Sequence, residues 1–200
     1  MSKIRFSKGE LKEQRDSLAR FQRYLPSLQL KKRQLQMHIR EVREAAAAAE
    51  AREQALQAGM EPWSGLLGGQ EDIFRGWVVP ERVVTEERNI AGTLVPVLKE
   101  VVFADMDYDL YDAPVWFDRA VVLLREFFKV VCERKVLLEQ ARRLEQELRV
   151  TSQRVNLFEK VKIPECHENI RIIRIYLGDQ QVSAVGIGKV AKKKLELAGV

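Results

Sequence analysis

Apolar residues recur every three or four positions along two long stretches of the chain, and the pattern breaks down between them. In the first stretch one series runs Leu11, Leu18, Leu25, Lys32, Ile39, Ala46, Glu53 and its companion runs Gln14, Phe21, Leu28, Leu35, Val42, Ala49, Leu56. Only Gln14, Lys32 and Glu53 interrupt a register that holds for about six heptads, which predicts a coiled-coil seam. Ser7 followed by Glu10 reads as a capping box at the start of that helix. Pro26 removes one backbone hydrogen bond and predicts a kink rather than an end.

The second stretch carries Trp116, Leu123, Val130, Leu137, Leu144, Thr151, Phe158 alongside Ala120, Phe127, Arg134, Ala141, Leu148, Val155. Asp112 and Pro114 suit its first turn. Near Pro164 the register slips and resumes as Ile170, Ile173, Leu177, Ala184, which predicts a stutter or kink. Leu18, Leu28, Leu35, Ile39, Leu137, Leu144, Leu148 and Val155 are the expected heart of the two seams. Arg134 and Lys32 interrupt apolar series, as residues do that snorkel to water or fix pairing register. Helices over 7–57 and 114–177 would measure roughly 75 and 95 Å at 1.5 Å per residue. A globule of this length is only about 40 Å across. The expectation is therefore a mainly α, elongated, antiparallel two-helix coiled coil with a small β-hairpin-containing middle region.

Three segments follow: an N-terminal helix over 1–58, a middle region over 59–112, and a C-terminal helix over 113–200, kinked near Pro164. Gly59, Pro62, Gly65, Gly68, Gly69 and Gly76 mark a loop. Two β-branched runs then flank Asn89-Ile90-Ala91-Gly92, where Asn and Gly tolerate positive φ, so a hairpin is expected over about 77–103. Pro80 and Pro96 suit exposed edges of it, and DMDYDLYDAP is an acidic, aromatic connector. Gly178, Gly186 and Gly188 each cost about 1 kcal/mol against Ala in a helix, which sets the last twenty or so residues apart as a glycine-interrupted basic tail.

Composition changes the picture little. Charged residues are 32% and aromatics 8%, as many wet helical faces around a thin core would give. The net charge of +5 admits nucleic acid, an anionic surface or an acidic protein as partner, but 29 acids are interspersed among 34 bases without a long basic block. The start lacks a signal-peptide core and no apolar run reaches the ~18 residues of a membrane span. A cytoplasmic protein with free thiols at Cys132 and Cys166 is expected, held at any membrane only through another subunit.

The catalytic and cofactor motifs fail one by one. In GIGKVAKKK the Walker A pattern would need Gly at position 183 and Ser or Thr at 190, where Ser183 and Val190 stand. Cys166-His167, Cys132 and His38 lack zinc-ligand spacing, and two histidines support no nucleophilic triad. No catalytic residue, cofactor or metal is expected.

Several strings say more than the heptads. KIRFSKGELKEQRDSL, SLQLKKRQLQ, RNIAGTLVPV and QRVNLFEKVKIPECHENIRIIRIYL resemble the D subunit of V-type and archaeal-type rotary ATPases. Arg154-Val155-Asn156, Glu159 and Ile163-Pro164 match its C-terminal pattern, and the resemblance covers nearly the whole chain in order. It departs at Leu157-Phe158, where Ala-Leu is common, and in the glycine-bearing tail. The resemblance implies a non-catalytic axle, or central rotor shaft, inside a hexamer of A and B subunits, with an F subunit alongside and a funnel-shaped subunit leading to the membrane ion ring. It implies no nucleic acid and no membrane insertion. Trp77, Asn89, Gly92 and Pro96 then belong to a hairpin that contacts a partner or tunes hydrolysis. Arg5, Lys8, Lys189, Lys192, Lys193 and Lys194 would form a positive collar against the hexamer if both termini meet at one tip; the alternative is a solvated terminus. The competing function class is a coiled-coil adaptor or basic nucleic-acid-binding scaffold, which has no need of a hairpin.

Overall fold

The computed structural model describes residues 5–62, 65, 76–105 and 114–197. Its elements are helix α1 (Lys8–Met60), strands β1 (Arg82–Ile90) and β2 (Thr93–Val102), helix α2 (Phe117–Leu157), a π turn (Phe158–Lys162) and helix α3 (Ile163–Leu197). Much of the expected glycine loop and of the acidic connector lies outside the described residues. The chain divides into two compact units, one made of the residues up to Leu30 with those from Thr151 onward, the other of Lys31–Val150.

In the first unit, α1 opens on half of the expected capping box. Ser7 Oγ accepts from the Glu10 backbone N–H at 3.2 Å, but the Glu10 carboxylate accepts from Gln14 instead of reaching back. The helix continues through Pro26, as a single missing bond in a 53-residue helix permits. Antiparallel pairing shows in the contacts. Phe6 meets Tyr176, Gln14 meets Asn169 and Phe21 meets Phe158, so partner numbers fall as α1 advances.

The register slip has a defined cause. Ile163 N–H donates to Phe158 O, an i→i+5 bond that makes residues 158–162 a π turn just before Pro164. Such a turn takes about one residue more than an α turn, so every later seam position moves up by one. Unbroken heptads would bring 165, 169 and 172 inward; the buried apolar residues are Cys166, Ile170 and Ile173. Asn169 is buried beside them and bonds Gln14.

The tail differs from expectation. The helix passes through Gly178, Gly186 and Gly188 to Leu197 without a break. Three isolated glycines lower helical stability, but without proline nothing blocks the i→i+4 ladder. From Asp179 onward every described residue is exposed, Ala184 included, so the resumed seam ends near Leu177.

In the second unit α1, α2 and the hairpin tip share one core. Leu35, Ile39 and Val42 from α1, Ala141 and Leu144 from α2, and Val95 from β2 form one buried cluster. Fully burying each Leu or Val contributes roughly 1.5–3 kcal/mol. The hairpin carries an apolar side chain into this core: Val95 is 0% exposed. A second cluster joins Val78, Phe117, Ala120 and Val121, with Trp77 edge-on to Phe117 at 5.7 Å. Helix α2 begins at Phe117, whose N–H donates to Pro114 O. Pro114 therefore stands in a turn ahead of the helix, not in its first turn, and Asp112 lies outside the described residues.

The hairpin closes through Ala91 and Gly92, with φ of 50° and 80°. Positive φ at both turn positions is the type I′ pattern that matches strand twist. Asn89 does not take the positive φ expected of it. Its side chain instead accepts the Gly92 N–H at 2.9 Å, and Ala91 carries the strained backbone.

Candidate partner-binding surfaces

Cross-helix ion pairs line the second unit: Lys31–Glu147 at 2.6 Å, Arg43–Glu145 at 2.6 Å, Arg52–Glu133 at 2.9 Å and Arg134–Glu53 at 2.5 Å. The last is the informative one, because Glu53 and Arg134 are both residues that interrupt an apolar series. They interrupt at the same level and bond each other, with side chains 18% and 28% exposed. Gln14, another interruption, likewise meets Asn169 within the first unit. Matched polar pairs in an apolar seam add little net stability but strongly penalise a shifted register, in which each would lose its polar partner. Lys32 is half-buried, and its neighbour Lys31 makes the ion pair.

Two arginines that sequence reasoning missed fasten the hairpin. Arg125 on α2 donates to Trp77 O at 2.9 Å and Ala104 O at 2.5 Å, gripping the chain just before β1 and just after β2. Its guanidinium also lies 5.3 Å from the centre of the Phe103 ring. Arg143 donates to Leu94 O at 3.4 Å, lies 3.9 Å from Glu87, and pairs with Glu139 at 2.9 Å. No local motif announces either role, since both depend on contacts between residues 20 or more apart in sequence. Hydrogen bonds from Arg142 and then Arg143 hold the Glu139 carboxyl well below its ordinary range, at about 2.

The expected hairpin residues have structural duties. Trp77 is half-buried in the second cluster, Asn89 caps the turn, Gly92 takes the positive φ, and Pro96 stands in β2 opposite Glu87. Of the expected seam residues, Leu35, Ile39, Leu144 and Val155 are buried, while Leu18, Leu28, Leu137 and Leu148 are half-buried.

Arg5, Lys8, Lys189, Lys192, Lys193 and Lys194 are all exposed, but they do not share a collar. Phe6 stacks on Tyr176, so Arg5 and Lys8 belong to that level of α3. The lysines lie some 20–27 Å further along the same helix at 1.5 Å per residue. Around them Val182, Val185, Ile187, Val190, Leu195 and Leu197 stand 57–79% exposed.

Burial pushes the Cys132 and Cys166 thiols up, away from reactive thiolate. Among the described residues no group of His, Cys, Asp and Glu is placed to hold a metal, and no helix is long and apolar enough to cross a membrane.

The profile of a family described as the ATP synthase D subunit matches residues 10–193. The V-type ATP synthase D subunit of Borreliella burgdorferi is 42% identical over 98% of this chain and 96% of its own length. The proteins of that name from Chlamydia caviae and Chlamydia muridarum are 38% and 33% identical over 98% of this chain, covering 95% and 97% of their own lengths. The order helix, hairpin, helix and the end-to-end matches agree: this chain belongs to the ATP synthase D-subunit family.

Proposed function

We propose that the chain is the non-catalytic central-stalk subunit of a V-type rotary ATPase, the axle that carries torque between an A/B hexamer and a membrane ion ring. The observation that carries this reading is helix pairing within each unit that is pinned by a matched polar contact, Glu53–Arg134 in one and Gln14–Asn169 in the other. An axle must resist sliding of one helix on the other under load, and mismatched polar residues oppose such sliding. The relatives are named as D subunits of a V-type ATP synthase, which supports this reading in outline.

In this reading the bare helix beyond Leu177, with Lys189, Lys192, Lys193 and Lys194, meets the A and B subunits, and Arg5 and Lys8 add contacts at a separate level. Exposed ion pairs contribute about 0–1 kcal/mol each and re-form readily, as a surface that changes partners each turn requires. The hairpin side faces the F subunit and the funnel-shaped subunit, and the chain stays peripheral to the membrane.

Reconstitution of the whole complex in vesicles tests the proposal. With this chain, ATP hydrolysis should drive ion uptake; without it, uptake should vanish while any residual hydrolysis is uncoupled. Uptake that persists without the chain would refute the axle reading.

A further inference from the structure

The hairpin is tied to α2 at both of its ends. At the base Arg125 donates to Trp77 O and Ala104 O, the carbonyls just before β1 and just after β2. At the tip Arg143 donates to Leu94 O. Arg125 and Arg143 lie about 27 Å apart along α2 at 1.5 Å per residue. The chain from Leu94 to Ala104, most of it β2, spans roughly 30 Å at about 3.3 Å per residue. The two lengths nearly match, so the hairpin runs alongside α2 instead of crossing it.

Contacts with α1 gather at the tip. Val95 shares a buried core with Leu35, Ile39 and Val42 of α1 and with Ala141 and Leu144 of α2, and Ile90 and Ala91 pack against that core. Lys31 passes over the turn. A methyl added to Gly92 would stand 3.6 Å from the Lys31 ammonium, which also bonds Glu147 at 2.6 Å. Ala91 meanwhile holds a φ of 50°, which glycine adopts freely and alanine does not. Backbone strain of this kind persists where the surroundings over-determine it, and here the surroundings are the two helices.

We propose that the hairpin is a splint for the helix pair: anchored on α2 by Arg125, it carries that anchorage along the helix to the level of Leu35 and Leu144, where its tip holds α1 against α2. A two-stranded hairpin is marginally stable in water by itself, so a base set free lets the tip leave as well. Arg125 is no seam residue, yet its loss should loosen the seam about 27 Å away. The splint acts in the free chain and does not depend on the axle reading. In an axle it adds a third rod to two helices over that length, and so raises their resistance to bending and twist.

Amide hydrogen exchange on the full-length chain, resolved to single residues, tests the splint. Arg125→Leu removes both carbonyl bonds and leaves a strong helix former in α2. Hydrogen bonds from a charged donor each shift an equilibrium by about tenfold or more. The Leu35, Ile39 and Leu144 amides should therefore exchange at least about tenfold faster in the variant, with those of Ile170 and Ile173 unchanged. Arg125→Lys keeps the charge but not the planar fork; it should accelerate the same amides by less, and it takes the place of Arg125→Leu if that variant does not fold. Unchanged Leu35, Ile39 and Leu144 exchange, with or without faster exchange in the hairpin, overturns the splint, because the base then fastens the hairpin without reaching the pair. Equal acceleration at Ile170 and Ile173 overturns it too, because a general loss of stability then explains the effect.

Discussion

Breaking the Glu53–Arg134 pair should cost more than replacing it. Arg134→Leu leaves the Glu53 carboxylate, 18% exposed, facing an apolar seam. Exposed ion pairs are worth about 0–1 kcal/mol and breaking fully buried ones costs about 3–5 kcal/mol; a pair covered to this degree falls between, at about 2 kcal/mol. Glu53→Leu should cost less, about 1 kcal/mol, because the longer Arg134 can reach water. With both replaced by leucine, no charge is stranded and each side chain can contribute roughly 1.5 kcal/mol of burial. The double variant should then match or exceed the parent, with a coupling energy of at least about 2 kcal/mol. Urea unfolding across the double-mutant cycle measures this, with amide exchange on α1 and α2 to locate the change. Additivity within about 0.5 kcal/mol would refute the view that these residues act as one register pin.

Val95→Ala removes two methyl groups from a fully buried site and should cost about 2–3 kcal/mol with its cavity; amide exchange should accelerate in the hairpin and around Leu35 and Leu144, and a silent variant would mean the tip is not part of that core. The Glu139 carboxyl, held by Arg142 and Arg143, should titrate near about 2 when followed by NMR. Its folded-state value lies below its unfolded one, so its contribution is fully present above about 4.5 and is lost as pH falls through about 2; an ordinary titration midpoint would show the arginine pairing absent in solution. Deleting exposed Lys160 together with Pro164→Ala should turn the π turn into α-helix and keep Cys166, Ile170 and Ile173 in the seam, because the π turn accounts for one residue. Removing the proline relieves up to about 3 kcal/mol, so thermal stability should rise; a fall in stability with loss of Ile170 and Ile173 burial would contradict that account.

What the sequence disclosed depended on whether the signal was periodic. The apolar series located Leu35, Ile39, Leu144 and Val155, and even the interruptions at Gln14, Glu53 and Arg134. Which interruption meets which was not legible, because the partner is chosen by superhelical geometry across the pair. Pro164 marked the slip, yet the π turn that absorbs it is a backbone event with no side-chain signature. The tail glycines were over-read: each is a small cost, and cooperativity carries a helix across small costs. The hairpin was visible in its turn residues, but its docking was not. Val95 reads like any strand valine, and Arg125 and Arg143 read like solvated helix charges until the fold brings Trp77, Ala104 and Leu94 beside them.

The most direct test of the axle is to watch it turn. In a Cys132→Ser, Cys166→Ser background, a bead attached through Arg119→Cys, exposed in the first turns of α2, reports the chain's orientation while the hexamer is fixed to a surface. The account predicts ATP-dependent, unidirectional stepwise rotation of the bead. A bead that stays still or only jitters, on complexes shown to hydrolyse ATP, would contradict it.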